Sequence, residues 1–221
     1  ALIYDLEGER KDVDGKLGKI KAMGVDLKRS DTPEFVQRFL EDLLTMVLSG
    51  SSKEDCFDKI NKFKEQFTLK PGWEKGTPKR VNNLTKYREM VESYHRKTQQ
   101  LANIGQGAEA LKKPIMPGHV RASMNWNQLR KAYKDNYSLP IQDGQKVIVC
   151  KLKSNPMGYT SIAYPIDELQ LPEWFKTLPF ANKEMEQKII DQKVKNLIGV
   201  LGWELEETQR VNVFDTIFAT G

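Results

Sequence analysis

"RSDTPEFVQRFLEDLLTMVLSG", residues 29–50, contains a complete helix grammar. Thr32 stands where an N-cap belongs. Pro33 suits the first helical position, whose N–H has no intrahelical partner to lose. Phe35, Phe39, Leu43 and Val47 recur every four residues, and Val36, Leu40 and Leu44 widen the stripe into a full apolar face. Gly50 ends the pattern, because glycine takes a left-handed backbone without penalty. The following stretch repeats the theme. Ser51, with Glu54 three residues on, reads as a capping box, and Cys56, Ile60, Phe63 and Phe67 form a second apolar stripe opposite a charged face. Two amphipathic helices joined by a short link are expected to pack face to face and begin a core.

Outward from this pair the patterns change. "LIYDLE" (residues 2–7) and "LGKIKAMGVDLK" (17–28) read as strands joined by a polar turn containing Gly8 and Gly15. "LKPGWEKGTPKR" (69–80) holds two prolines and two glycines and reads as loop. Residues 81–102 have weak apolar periodicity and read as partly helical, and "NIGQGAEALKKPIMPG" (103–118) as loop. A helix is expected from Val120 to Tyr133, with Val120, Met124, Leu129 and Tyr133 facing inward. "QKVIVCKL" and "YTSIAY" are rich in β-formers and flank the turn "KSNPMG", which predicts a hairpin at about residues 145–164. "LPEWFKTL" reads as a short helix. Asn182 is expected to cap a last long helix with Met185, Ile189, Ile190, Val194, Leu197, Ile198 and Leu201 on its stripe. The fold class is therefore α+β: mainly helical, with a β-hairpin insertion and edge strands in front. There is no internal repeat.

The 221 residues, 39% hydrophobic and 29% charged, suffice for one large domain or two small ones with a real core. No apolar run approaches the ~20 residues that a membrane-spanning helix needs. The opening "ALIYDLEGERKD" lacks the charged region and apolar stretch of a secretory signal, and a start without Met suggests processing or a shortened chain. Cys56 and Cys150 are expected to be reduced thiols of a cytoplasmic protein.

The net charge of +5 is unevenly placed. Residues 70–134 contain 14 Lys or Arg against four Glu and no Asp, a net of +10, and residues 112–134 hold six cations and no acid. A solvated face gives charge runs too, but usually mixes signs. A one-sided block repels itself unless a polyanion neutralises it, which favours a nucleic-acid surface.

Catalytic patterns are missing. His95 and His119 are the only histidines and show no metal-ligand spacing; there is no GxxxxGK[ST], GxGxxG or paired-Asp motif. Cys56 falls on an apolar helix face, where a cysteine acts as a small hydrophobe, so a cysteine hydrolase is the weakest reading. Binding chemistry is present in "NNLTKYREM" (82–90) and "PGHVRASMNWNQL" (117–129). Lys and Arg neutralise phosphates, Asn donates hydrogen bonds, and Tyr packs on sugar or base, fixing register without reading sequence. Lys86 and Arg121 are the strongest candidates because acids are scarce near them. Tyr87 and Trp126 also read as core, and Asn82 and Asn83 as helix caps.

The ordered set "YDLEG", "MGVDLKRSDTP", "NNLTKY", "HVRASMNWN", "GQKVIVCKLKSNPMGYTSIAYP" and "VFDTIF" resembles the C-terminal part of the family B DNA polymerases of large tailed bacteriophages. Each motif alone is weak; the order carries the resemblance. It implies the end of a palm at residues 1–30, a thumb at 31–208 and a terminal peptide at 209–221. It further implies that Arg29 and Ser30 lie near the primer backbone, and that Asn83, Lys86, Tyr87, His119 and Arg121 lie along the primer–template duplex, with Lys113 matching a basic residue before the histidine. Val213, Phe214, Ile217 and Phe218 resemble a peptide that inserts into a sliding clamp. The segment between Tyr87 and His119 is longer than the family pattern. The resemblance implies no cofactor in this chain, Mg²⁺ in a catalytic portion that holds the exonuclease, fingers and palm aspartates, and a location in the cytoplasm of an infected bacterial host. The chain is then a fragment, or the smaller product of a polymerase encoded in two pieces, whose front strands complete a sheet on a partner chain. The rival reading is a free-standing basic nucleic-acid-binding protein.

Overall fold

The computed structural model describes residues 29–107, 111–199 and 201–204, together with the backbone of four two-residue strands nearer the start. These are β1 (Leu2–Ile3), β2 (Asp12–Val13), β3 (Lys16–Leu17) and β4 (Ile20–Lys21). β1 pairs antiparallel with β4 and β2 with β3, each through two residue pairs, with the β2–β3 pair lying between β1 and β4 in the chain. The rest of the expected strands at 2–7 and 17–28 lies outside the described residues.

The two leading helices form as their stripes require, with their caps shifted. α1 (Glu34–Leu48) starts after Pro33, which is extended at φ −56° and offers no capping side chain. Thr32 is not the cap: it is buried, and its hydroxyl accepts a hydrogen bond from Lys193 Nζ at 2.7 Å. Val36, Phe39, Leu40, Leu43 and Leu44 are buried, and Gly50 takes φ +77° just beyond the helix. α2 (Lys53–Leu69) is capped by Ser52 rather than Ser51. Ser52 Oγ accepts from the Asp55 N–H at 3.0 Å and donates to the Asp55 carboxylate at 2.7 Å, so the cap's partner is Asp55, not Glu54. The facing stripes meet through phenylalanines: Phe39 stacks on Phe63 at 3.8 Å and Phe35 meets Phe67 at 5.4 Å.

A second core forms around a sheet. After a 3₁₀ turn (Gly72–Lys75) comes β5 (Thr77–Arg80), which corrects the loop expected there. Its proline is tolerated because the strand order β5-β6-β7 leaves β5 at an edge, where a missing N–H breaks no ladder on the open side. Gly76 is set by close approach: a Cβ there would stand 2.5 Å from Ile148 Cγ2. β6 (Lys146–Lys151) and β7 (Ser161–Pro165) form the expected hairpin. α4 (Gly118–Ala132) lies across β7 and buries Trp126 completely, with its indole N–H donating to the Leu139 carbonyl at 2.9 Å. Tyr133 does not face inward: it is exposed, with its ring stacked 5.3 Å from Trp174 beside the short helix α5 (Glu173–Lys176).

α3 (Leu84–Asn103) fills much of the stretch between Tyr87 and His119. Leu84 is its only buried residue, which accounts for the weak periodicity. Asn83 occupies the N-cap position at φ +62° without a side-chain cap bond. The Asp143 carboxylate does the capping, accepting from the Leu84 N–H and, at 3.1 Å, from the Thr85 N–H.

The last helix runs unbroken through α6 (Asn182–Glu186), a π turn (Gln187–Asp191) and α7 (Gln192–Gly199). Asn182 is its first residue rather than its cap; Ala181 holds that position, and Asn182 Oδ1 is buried without a partner. Leu201 is 41% exposed and leaves the expected stripe. Met185 enters the sheet core, whereas Ile189, Ile190, Val194 and Ile198 enter the α1–α2 core. Where the cores meet, Lys75 is 1% exposed, with its ammonium 2.7 Å from Glu186 Oε1 and 2.9 Å from the Thr68 carbonyl. The fold is mixed helix and strand, α+β, around a three-stranded antiparallel sheet.

Candidate nucleic-acid interface

A cleft of about 710 Å³ opens between the two cores. Arg29 and Asp31 reach it from the segment before α1, Lys79 from β5, His119 from the first turn of α4 and Lys151 from β6. Lys188 of the π turn and Lys193 of α7 line the facing side, with Glu184 of α6. Five cations therefore share the cleft with two carboxylates. The anions are engaged. Asp31 Oδ1 lies 3.1 Å from Arg29 Nε, and Asp31 Oδ2 lies 3.0 Å from Lys79 Nζ. Lys151 Nζ lies 2.8 Å from Glu184 Oε2.

Electrostatics follow from these contacts. Burial alone would raise the Asp31 carboxyl, but hydrogen bonds from Arg29 and Lys79 outweigh it and hold the group at about 2. His119 is lowered from its ordinary value, first by burial and then by the charge of Lys79. It is therefore biased toward neutral imidazole, a hydrogen-bonding group rather than a fixed cation. The cleft can hold a polyanion through several exposed cations.

The structure brings Arg29 and His119 to this one cleft. Ser30 is exposed beside Arg29. Asn83, Lys86 and Tyr87 sit at the start of α3. Asn83 and Lys86 are exposed, and Tyr87 is half-buried against the sheet core, so much of its ring is committed to packing. Lys113 is exposed in the chain leading to α4, and Arg121 is exposed on the first turn of α4, two residues past His119. Val213, Phe214, Ile217 and Phe218 lie outside the described residues. Sequence reasoning missed Lys79, Lys151, Lys188 and Lys193, which come from four separate elements. Lys79 alone carried a signal, since it belongs to the one-sided basic block. A second groove, between α3 and α4, mixes signs: Arg88 pairs with Glu92 at 3.9 Å, and Asp143 is spent on the helix cap.

Both thiols are buried and free, and burial raises both, which is opposite to what a cysteine nucleophile needs. Among the described residues no cluster of three His, Cys, Asp or Glu side chains could hold a metal ion, and no helix is long and apolar enough to cross a membrane.

The fold is α+β, and the cleft between its two cores is basic in character. No protein-family model matches the chain. It is similar to the DNA-directed DNA polymerase of Enterobacteria phage T4: 26% identical over 164 residues, which cover 74% of this chain and 15% of that protein. The similarity supports a DNA polymerase relationship, and the chain spans a small part of that relative's length.

Proposed function

We propose that this chain is the duplex-gripping part of a phage DNA-directed DNA polymerase of family B, a thumb with the end of the palm in front of it. The observation that carries the reading is a coincidence. A chain similar over 74% of its length to a DNA polymerase also shows a cleft in which cations outnumber carboxylates five to two. Residues 1–30 complete a palm sheet, 31–208 grip the duplex through its phosphates, and catalysis belongs to a portion outside this chain, where paired carboxylates would hold Mg²⁺. Arg29, Ser30, Asn83, Lys86, Tyr87, Lys113, His119 and Arg121 are the proposed DNA contacts, joined by Lys79, Lys151 and Lys188 from the cleft. A free-standing basic nucleic-acid-binding protein would share this surface but not the polymerase partner; co-purification of a chain with paired palm aspartates separates the two.

The binding test is a salt titration against primer–template duplex. Affinity is expected to be weak, indifferent to sequence and steeply salt-dependent. Lys86→Ala and Arg121→Ala should each flatten the slope of log affinity against log salt by roughly 0.9. Parent-like slopes in both variants would make the basic face a solvated one.

Residues 209–221 are the proposed tether to a sliding clamp, with Val213, Phe214, Ile217 and Phe218 as apolar anchors. A tether acts through effective concentration, so Phe214→Ala with Phe218→Ala should abolish clamp-dependent long synthesis by the reconstituted polymerase and spare clamp-free extension. Clamp-dependent synthesis that survives with a lowered melting temperature would assign the rings to the core instead.

A further inference from the structure

We propose that Asp31 is a built-in competitor for phosphate: its carboxylate occupies Arg29 and Lys79, and thereby sets how tightly the cleft holds a nucleic-acid backbone. The inference rests on the DNA-gripping reading above and names the residue that limits that grip.

Carboxylate and phosphate oxygens are interchangeable acceptors for guanidinium and ammonium groups. Asp31 uses both of its oxygens in this way. Oδ1 takes Arg29 Nε at 3.1 Å, and Oδ2 takes Arg29 Nη2 at 3.4 Å and Lys79 Nζ at 3.0 Å. The order of exposure matters. The Asp31 side chain is 26% exposed, against 63% for Arg29 and 37% for Lys79. The anion thus sits behind two cations, and a backbone arriving from solvent meets a pair whose charge is already half neutralised. The other wall of the cleft repeats the motif in weaker form. Glu184 holds only Lys151 and is itself the more exposed partner, at 61% against 47%. Of the two internal carboxylates, Asp31 engages more positive charge and is less screened by water.

The consequence is functional. A surface that must release and re-grip successive phosphates as a duplex moves past it works with many weak contacts rather than a few tight ones. A fixed internal anion supplies that weakness without removing the cations that give the complex its orientation.

The experiment uses the full chain and a short primer–template duplex, with affinity measured across a salt series. Asp31→Asn keeps the shape and an acceptor oxygen and removes the charge. Removing one unit charge ~6 Å from a phosphate should tighten binding at low salt by at least about threefold, even at the dielectric of bulk water. The salt slope should steepen by about 0.9 to 1.8 as one or both cations become available. Glu184→Gln should tighten binding less. Adding Lys79→Gln to Asp31→Asn should cancel most of the gain, as a coupled pair requires. If the single Asp31→Asn chain folds poorly, the double variant keeps the test: it should bind more tightly than Lys79→Gln alone, because Arg29 is released from the same carboxylate, and equal binding by the two would overturn the proposal. Weaker or unchanged binding by a folded Asp31→Asn chain would overturn the proposal, because Asp31 would then position the cations rather than compete for them. If the parent itself shows no salt-dependent duplex binding, the gripping reading falls. If the parent binds and responds to Lys86→Ala and Arg121→Ala while Asp31→Asn changes nothing, only the present inference falls.

Discussion

The α1–α2 core and the sheet core flank the same cleft and are built in different ways. The first is apolar and ring-rich: Phe39 and Phe67 stack on Phe63, Phe35 meets Phe63 and Phe67 at a tilt, and none of the four rings offers a polar atom. The second tethers its aromatics by hydrogen bonds. Trp126 donates to the Leu139 carbonyl, Trp174 donates to Asp135 at 2.9 Å, and the Tyr164 hydroxyl donates to the Trp73 carbonyl at 3.1 Å. The charges divide in the same way. Residues 29–69 carry six Lys or Arg against eight Asp or Glu, whereas residues 70–134 carry 14 against four. The difference separates two tasks. Apolar stacking fixes that α1 and α2 meet; tethered aromatics fix how α4, which carries His119 and Arg121, is oriented. Directional bonds are spent where a surface must be aimed.

This comparison can be broken most directly through Trp126. Phe39→Ala and Trp126→Ala each remove a buried ring, and each should cost about 3–5 kcal/mol. Trp126→Ala should lie at the upper end, because it also leaves the Leu139 carbonyl without its donor. Trp126→Phe isolates the tether: it keeps most of the burial, loses the N–H, and should cost about 1–3 kcal/mol. Denaturant unfolding measures all three. Duplex affinity below the unfolding transition should change in Trp126→Phe and not in Phe39→Ala. Equal effects of the two variants on affinity would show that tethering is not what aims α4.

The two cores were not equally legible in the sequence. The leading helices could be read because every apolar position in "EFVQRFLEDLL" lies on one face, and the β6–β7 hairpin because its β-formers flank a turn. Caps were misplaced by one residue, since Ser51 and Ser52, or Thr32 and Pro33, are adjacent candidates that only backbone geometry separates. β5 was hidden because two prolines and two glycines outweigh four residues of strand; it exists only because β6 offers an edge to pair with. α3 was faint because a helix with one buried residue prints almost no periodicity. At the site, the basic block was visible as a run of charge. The cleft was not, because Arg29, Lys151, Lys188 and Lys193 lie outside that run and meet only through the fold. Asp31 was invisible for the same reason: in sequence it is an ordinary acid near a helix start, and its role depends on Lys79, 48 positions away.

The smallest expected effect gives the sharpest test of how fold and cleft are coupled, and it concerns His119. Burial, and then the charge of Lys79, lower its pKa below the ordinary 6.5. The unfolded chain therefore takes up a proton near that ordinary value while the folded chain still resists it. Stability from this residue is fully present above about pH 6.5 and is lost as pH falls through that value toward the lowered one. Asp31, held at about 2, stays ionised through this window and contributes nothing to the change. Under the proposed function a bound phosphate reverses the preference, because an anion in the cleft favours imidazolium. Duplex affinity should then rise over the same pH interval in which stability declines, with one proton taken up on binding. Replacing His119 by Gln should remove both trends together: thermal unfolding and duplex affinity, each measured across the interval at constant ionic strength, should lose their dependence on this proton. Should affinity keep its full pH dependence in the variant while stability loses its own, His119 belongs to the fold and not to the nucleic-acid surface.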